Sequence, residues 1–137
     1  MSESKIEIIP LTDSGDQRGA SFPIGGEWVE FLGKAIDCHI STVAPGQTRG
    51  NHFHERKREV IIVVHRGRWT MCWDTGSGTS PQRREFSGAG AVMIKTYPGA
   101  SHAVVNNGGE DLQLFALCNQ PYDPANPDAV ARRVSGT

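Results

Sequence analysis

Apolar residues along this chain recur at alternate positions in short runs, and glycine and proline cut the runs apart. Residues 5–9 alternate as Lys-Ile-Glu-Ile-Ile before Pro10, and residues 35–44 place Ile36, Cys38 and Ile40 on one face. Within residues 68–74, Trp69, Met71 and Trp73 alternate strictly. A period of two is the signature of a strand, where successive side chains point to opposite faces. Strands are also expected at residues 28–32, 60–64, 82–86, 91–97, 102–106 and 112–118. The clearest is the β-branched run Val60-Ile61-Ile62-Val63-Val64. Residues 11–26, rich in Gly, Ser and Asp, read as an ordered arm, residues 74–78 as a turn, and Asn107-Gly108-Gly109 as a hairpin turn. Residues 119–137 carry three prolines and read as extended or weakly helical. Many short strands with almost no helical periodicity predict an all-β barrel or double sheet. No repeat, linker or low-complexity segment divides the chain. It reads as a single domain: an N-terminal strand and arm over 1–26, a barrel over 27–118 and a tail over 119–137.

Composition narrows the partners. The 137 residues suffice for one core, and a net charge of −1 supplies no basic field to hold nucleic acid or an anionic membrane. The start, Met1-Ser2-Glu3-Ser4-Lys5, lacks the apolar core of a signal peptide, and no apolar run approaches membrane-spanning length. A cytoplasmic location is expected. The three cysteines, Cys38, Cys72 and Cys118, form no CxxC pair and read as reduced, mostly buried thiols.

Candidate chemistry gathers between residues 46 and 59. On a strand His52 and His54 share a face, and the returning strand after a short charged turn begins at Glu59. The layout predicts a hairpin that sets Glu59 beside both imidazoles, an arrangement suited to a divalent metal or to proton transfer. A third histidine, His102, follows the Pro98-Gly99 turn. His39 and His65 have no partner at ligand spacing and read as hydrogen-bonded core or surface residues. The charged run 55–58 reads as a solvated turn. Trp69, Met71 and Trp73 read as barrel lining, which in a barrel is also pocket wall. Tyr97 is either a proton donor or oxyanion stabiliser, or a packing residue with a wet hydroxyl.

Two segments resemble the cupin superfamily. Gly46, five residues, His52-x-His54, four residues and Glu59 resemble its first motif, and Pro98-Gly99-x-x-His102-x-x-x-Asn106 its second. One departure is visible: seven residues rather than six separate Glu59 from Gly67. The resemblance implies a jelly-roll barrel (a double-stranded β-helix) and a metal held by His52, His54, Glu59 and His102. Three imidazoles and a carboxylate suit zinc, iron, manganese or nickel. Arg49-Gly50-Asn51-His52-Phe53-His54, with Lys57 and Glu59, is further similar to the cupin epimerase domain of capsular-polysaccharide nucleotide-sugar enzymes. So is the tail from Asn119 to Asp128. More loosely, the Arg-Gly-x-His segment resembles RmlC-like 3,5-epimerases and sugar-nucleotide ketoisomerases.

These relatives imply enolisation of a 4-keto sugar carried on a nucleotide diphosphate. His52 or His54 would serve as base, with Tyr97, Lys95 or a metal at the developing oxyanion. Arg49 would clamp the diphosphate, and Trp69 and Trp73 would contact substrate. A metal-bound histidine cannot also be the free base, so Tyr97 or a detaching ligand becomes a candidate if the metal is present. Two rivals are an iron-dependent cupin dioxygenase acting on a small organic substrate and a non-catalytic small-molecule-binding cupin. Cupins of this size pair through their N-terminal strands, which implies a homodimer.

Overall fold

The computed structural model describes residues 5–136. Residues 1–4, on which most of the signal-peptide reading rests, lie outside the described residues, as does Thr137. In chain order the elements are β1 (Ile6–Pro10), α1 (Glu27–Leu32), β2 (Asp37–Val43), β3 (Thr48–Phe53), β4 (Glu59–His65), β5 (Trp69–Trp73), β6 (Gln82–Phe86), β7 (Gly90–Thr96), β8 (His102–Asn106), β9 (Leu112–Cys118) and β10 (Val130–Ala131). They form two antiparallel five-stranded sheets, ordered β1-β7-β4-β9-β2 and β10-β3-β8-β5-β6. Among the described strands, only β5 and β6 are both consecutive in the chain and hydrogen-bonded to each other. Elsewhere from β2 onward the chain crosses between sheets, which is the jelly-roll arrangement. Two expected hairpins are therefore corrected. The turns after His54 and at Asn107-Gly108 each join strands of different sheets, so they close the sandwich rather than a ribbon.

Alternation sets the interior. Val43, Ile61, Val63, Trp69, Met71, Val92, Ile94, Val104, Leu112, Leu114 and Ala116 fill the space between the sheets. The intervening residues of β4 and β7, Val60 and Met93, face outward and are covered by Phe31, Leu32, Trp28 and Ile24. This cover explains the second correction. Residues 28–32 form a helix because Trp28, Phe31 and Leu32, spaced i, i+3 and i+4, pack on the sheet, while Val29 stays 46% exposed. Six residues hold too little of the helical period to separate from strand alternation.

The apolar face of β2 is turned away from the core. Ile36 and Ile40 are 47% and 66% exposed, so the Ile36–Cys38–Ile40 face looks outward. Cys38 is likewise exposed, whereas Cys72 and Cys118 are buried, all three as free thiols. The inward face of β2 carries Asp37, His39, Ser41 and Val43, paired with Cys118, Ala116, Leu114 and Leu112. The tail adds a strand that proline-rich composition did not suggest: Val130 and Ala131 pair with Phe53 and His52. No described helix is long and apolar enough to cross a membrane.

Candidate active site

The segment Arg49-Gly50-Asn51-His52 is shaped by a bulge. Gly50 pairs with Ala103 and His52 with His102, leaving Asn51 as an extra residue. Asn51 sits at φ 59, a left-handed conformation that asparagine tolerates, and Gly50 at φ 107. A Cβ on Gly50 would run into the carbonyl oxygen of His102. The tail then locks the bulge. Asn51 Oδ1 accepts from the backbone N–H groups of Val134 (2.9 Å) and Ser135 (3.1 Å), and Asn51 Nδ2 donates to Ser135 Oγ (2.9 Å). The consequence is that Arg49 and His52, three positions apart, both reach the same pocket.

Three rings meet there. The centroids of His52 and His54 are 5.0 Å apart, those of His52 and His102 5.0 Å, and those of His54 and His102 5.2 Å. Glu59, at the start of β4, brings its carboxylate to 3.4 Å from His54 Nε2 and 3.9 Å from His102 Nε2. The structure thus joins the four residues of the sequence motifs. Orientation comes from the second nitrogens. His54 Nδ1 lies 2.6 Å from the carbonyl of Asp128 and His102 Nδ1 3.2 Å from that of Ala100, contacts in which each Nδ1–H donates. The Nε2 atoms of His54 and His102 are left buried, without a hydrogen-bond partner. An unsatisfied buried polar atom costs about 1–3 kcal/mol, and two such nitrogens beside one carboxylate form a donor set that a cation would satisfy.

The electrostatics agree. Burial, followed by repulsion from His54, lowers the pKa of His102 to about 3, and the same two causes lower that of His52. Both imidazoles are therefore neutral, with lone pairs to offer. Burial opposes the charge of Glu59, but the neighbouring His54, His102 and Lys57 outweigh it and hold the carboxyl at about 2. Nitrogen atoms of the three histidines lie within 4.8 Å of one another. Neutral imidazoles beside an ionised carboxylate fit a divalent cation, and the carbonyl-bound Nδ1 atoms are the outer support such ligands need.

The cluster lies in a pocket of about 500 Å³ whose polar wall includes His39, Ser41, Thr48, Arg49, Lys57 and Tyr122. Arg49 is oriented by its Nε, which donates to the carbonyl of Thr42 at 2.6 Å. A smaller polar pocket shares Lys57 and Tyr122 with it. The tail holds the turn beside the cluster: the Asp128 carboxylate accepts from the backbone N–H groups of Glu55 (2.7 Å), Arg56 (2.9 Å) and Lys57 (2.8 Å).

Four residues expected at the site lie elsewhere. On β7, Ile94 faces inward, so Lys95 projects outward, between Glu7 (3.6 Å) and Glu27 (3.7 Å). Tyr97 follows on the same outer face. Its hydroxyl donates to Glu7 Oε1 at 3.0 Å, its ring meets Phe31 edge-on, and burial with the Glu7 bond raises its pKa. It packs on the outer face and does not line the pocket. Trp69 is fully buried in the core, stacked on Phe86 at 4.6 Å, and Trp73 packs against that core; neither lines the pocket. His65 bonds the carbonyl of Gly88 through Nδ1 and packs against Trp69, the structural part expected of it.

His39, Lys57 and Tyr122 line the pocket without having been anticipated. A signal for His39 existed: if Ile36, Cys38 and Ile40 share one face, His39 must occupy the other. Lys57 was read as turn charge, yet it reaches Glu59 Oε2 at 3.9 Å.

Comparison with known proteins extends these observations. The chain is 31% identical over 117 residues to the UDP-2-acetamido-2,6-beta-L-arabino-hexul-4-ose reductase of Pseudomonas aeruginosa. That match takes in 77% of the chain but only 29% of the relative's length. The capsular polysaccharide assembling protein CapF of Staphylococcus aureus superposes with a TM-score of 0.64 at 23% identity, over 91% of this chain and 33% of that one. The 3,4-ketoisomerase QdtA of Thermoanaerobacterium thermosaccharolyticum, in a mutant form bound to TDP-4-keto-6-deoxyglucose, superposes with a TM-score of 0.68 at 20% identity. Its match covers 91% of this chain and 86% of that one. These structural likenesses establish the RmlC-like cupin fold. Residues 15–130 match the family described as the polysaccharide biosynthesis C-terminal domain, and the chain belongs to that family.

Proposed function

We propose that this domain is an epimerase or isomerase acting on a nucleotide-activated 4-keto sugar, through proton removal next to the ketone. The observation that carries the proposal is the convergence of His52, His54, His102 and Glu59 in a pocket rimmed by Arg49 and Lys57. The relatives supply the substrate class: the curated relative is named for a UDP-linked hexulose and the ketoisomerase structure holds a TDP-linked keto sugar.

The pocket is wide enough for the sugar, with the nucleotide extending over the rim. Arg49, fixed by Thr42, and Lys57 meet the diphosphate. His52, His54, His102 and Glu59 would hold a divalent ion: zinc, iron, manganese or nickel. Such an ion supplies a positive charge for an enolate oxygen. The apolar pocket floor of Ile61, Val104, Leu114 and Ala116 excludes water and strengthens that attraction.

The test is incubation of TDP-4-keto-6-deoxyglucose, and of a UDP-linked 2-acetamido 4-keto sugar, with the protein in D2O beside an oxygen electrode. Deuterium entering the carbon next to the ketone without oxygen uptake is the expected result. Oxygen consumption with substrate cleavage would establish a cupin dioxygenase instead, and tight binding without exchange a binding module. We also propose a homodimer formed through the outer face of edge strand β2, where Ile36 and Ile40 are exposed. Light scattering of wild type and Ile40→Asp tests it; a monomeric wild type refutes it.

A further inference from the structure

Enolisation needs a lone pair at the reacting carbon that is not committed to a metal. We infer that His39 is the catalytic base of this pocket, the imidazole that takes the substrate's α-proton and returns it. The inference rests on the proposed keto-sugar reaction.

The chain has five histidines, all within the described residues. Three form the cluster, and His65 is held by Gly88 and packed at a tilt against Trp69 and Phe86, outside the pocket lining. His39 remains, and it lines the pocket. Its position follows from register. Asp37, Cys118 and Glu59 form one row across β2, β9 and β4, and His39, Ala116 and Ile61 form the next row. His39 therefore stands one row from Glu59, on a strand of the sheet facing β3, which carries His52. A ring nitrogen of His39, a carboxylate oxygen of Glu59 and the sulfur of Cys118 lie within 4.8 Å of one another. His39 is itself exposed, so the captured proton can exchange with solvent.

The other polar groups of the wall are poorer bases. Lys57 is an ammonium beside Glu59. Cys118, beside Glu59 but outside the pocket lining, keeps its proton, since burial and then Glu59 raise its thiol to about 11. Ser41, Thr48 and Tyr122 offer hydroxyl groups that carry their own proton, not a basic nitrogen lone pair.

The step balances. Neutral His39 takes the proton, the C–H electron pair becomes the enolate double bond, and the carbonyl pair moves onto oxygen. The imidazolium then returns a proton to carbon and the oxygen charge collapses back to the ketone. Protonation of the same carbon on the opposite face by a solvent water, with the His39 imidazolium giving its proton back to solvent, gives an epimer. Return to the former carbonyl carbon, after proton transfer between the two oxygens of the enediol, leaves the new ketone on the deprotonated carbon and gives a ketoisomer.

The experiment compares wild type, His39→Gln and His39→Ala in D2O with the same two keto-sugar nucleotides, measuring deuterium incorporation by NMR. Bound metal, TDP affinity and melting temperature are measured in parallel. Loss of exchange by about 100-fold or more, with metal content and TDP affinity unchanged, and partial rescue of His39→Ala by added imidazole, is expected. Exchange in His39→Gln within about threefold of wild type overturns the assignment and leaves the proposed reaction standing. Loss of metal together with exchange also overturns it, making His39 a ligand. If wild type exchanges neither compound, the reaction itself is wrong and the role of His39 falls with it.

Discussion

Asp128 is the residue whose removal most directly tests how the tail supports the site. Its carboxylate accepts three backbone N–H groups from residues 55–57 at 2.7–2.9 Å, and its own carbonyl orients His54. Hydrogen bonds to a charged acceptor contribute about 1.5–3 kcal/mol each when buried. Two of these three are exposed to solvent, so Asp128→Ala should cost about 2–3 kcal/mol in all. For a domain of this size that lowers Tm by roughly 6–15 °C. The pKa of Asp128 is lowered: burial opposes its charge, and the three amides outweigh burial. A group whose folded pKa is depressed stabilises the fold above its unfolded value, here 3.8, and loses that contribution as pH falls through the folded value. The difference between wild type and variant should thus be constant from pH 7 to about pH 4 and vanish below. Urea melts across this range measure it. Because His54 loses a fixed support, metal affinity should also fall by about 10–100-fold. Stability within about 0.5 kcal/mol of wild type at pH 7, the usual range of a surface substitution, would refute the tail's role.

Three further outcomes follow from the same geometry. Gly50→Ala combines a disfavoured φ with collision against the His102 carbonyl, so it should cost about 3 kcal/mol or more; a melt unchanged from wild type would show that the bulge is not as described. Tyr97→Phe should leave turnover within about twofold of wild type while removing the bond to Glu7, and a loss of about 100-fold would return Tyr97 to the reaction. Metal-free protein should lose stability as pH falls from about 6.5 toward 3, because His52 and His102 have folded pKa values below their unfolded one and the unfolded chain binds the extra protons; a flat profile over that window contradicts the buried neutral imidazoles.

His52, His54 and Glu59 were legible because a strand's period of two and a turn's length fix which side chains meet, although the bulge at Asn51 and the change of sheet before Glu59 were not visible. His102 joined them through the resemblance to the second cupin motif, since nothing local ties β8 to β3. The absolute direction of each face was not legible in the same way. Alternation shows that Lys95 and Tyr97 oppose Ile94, but burial under α1 is what makes their side the outer one. The same ambiguity left the direction of the Ile36–Ile40 face open and set His39 aside. Trp69 was correctly read as inward, yet the inward end it occupies is packed solid against Phe86 and His65, while the opposite end is the pocket. Asp128 escaped notice because its partners are backbone amides some seventy residues earlier in the chain.

The most direct test of the account is elemental analysis of tag-free protein beside a His54→Ala, His102→Ala double variant, each as purified and after reconstitution. One divalent ion per chain in wild type and none in the variant is the predicted result. A wild type that takes up no metal under any of these conditions would contradict the four-residue site and leave His52 free to act as a base.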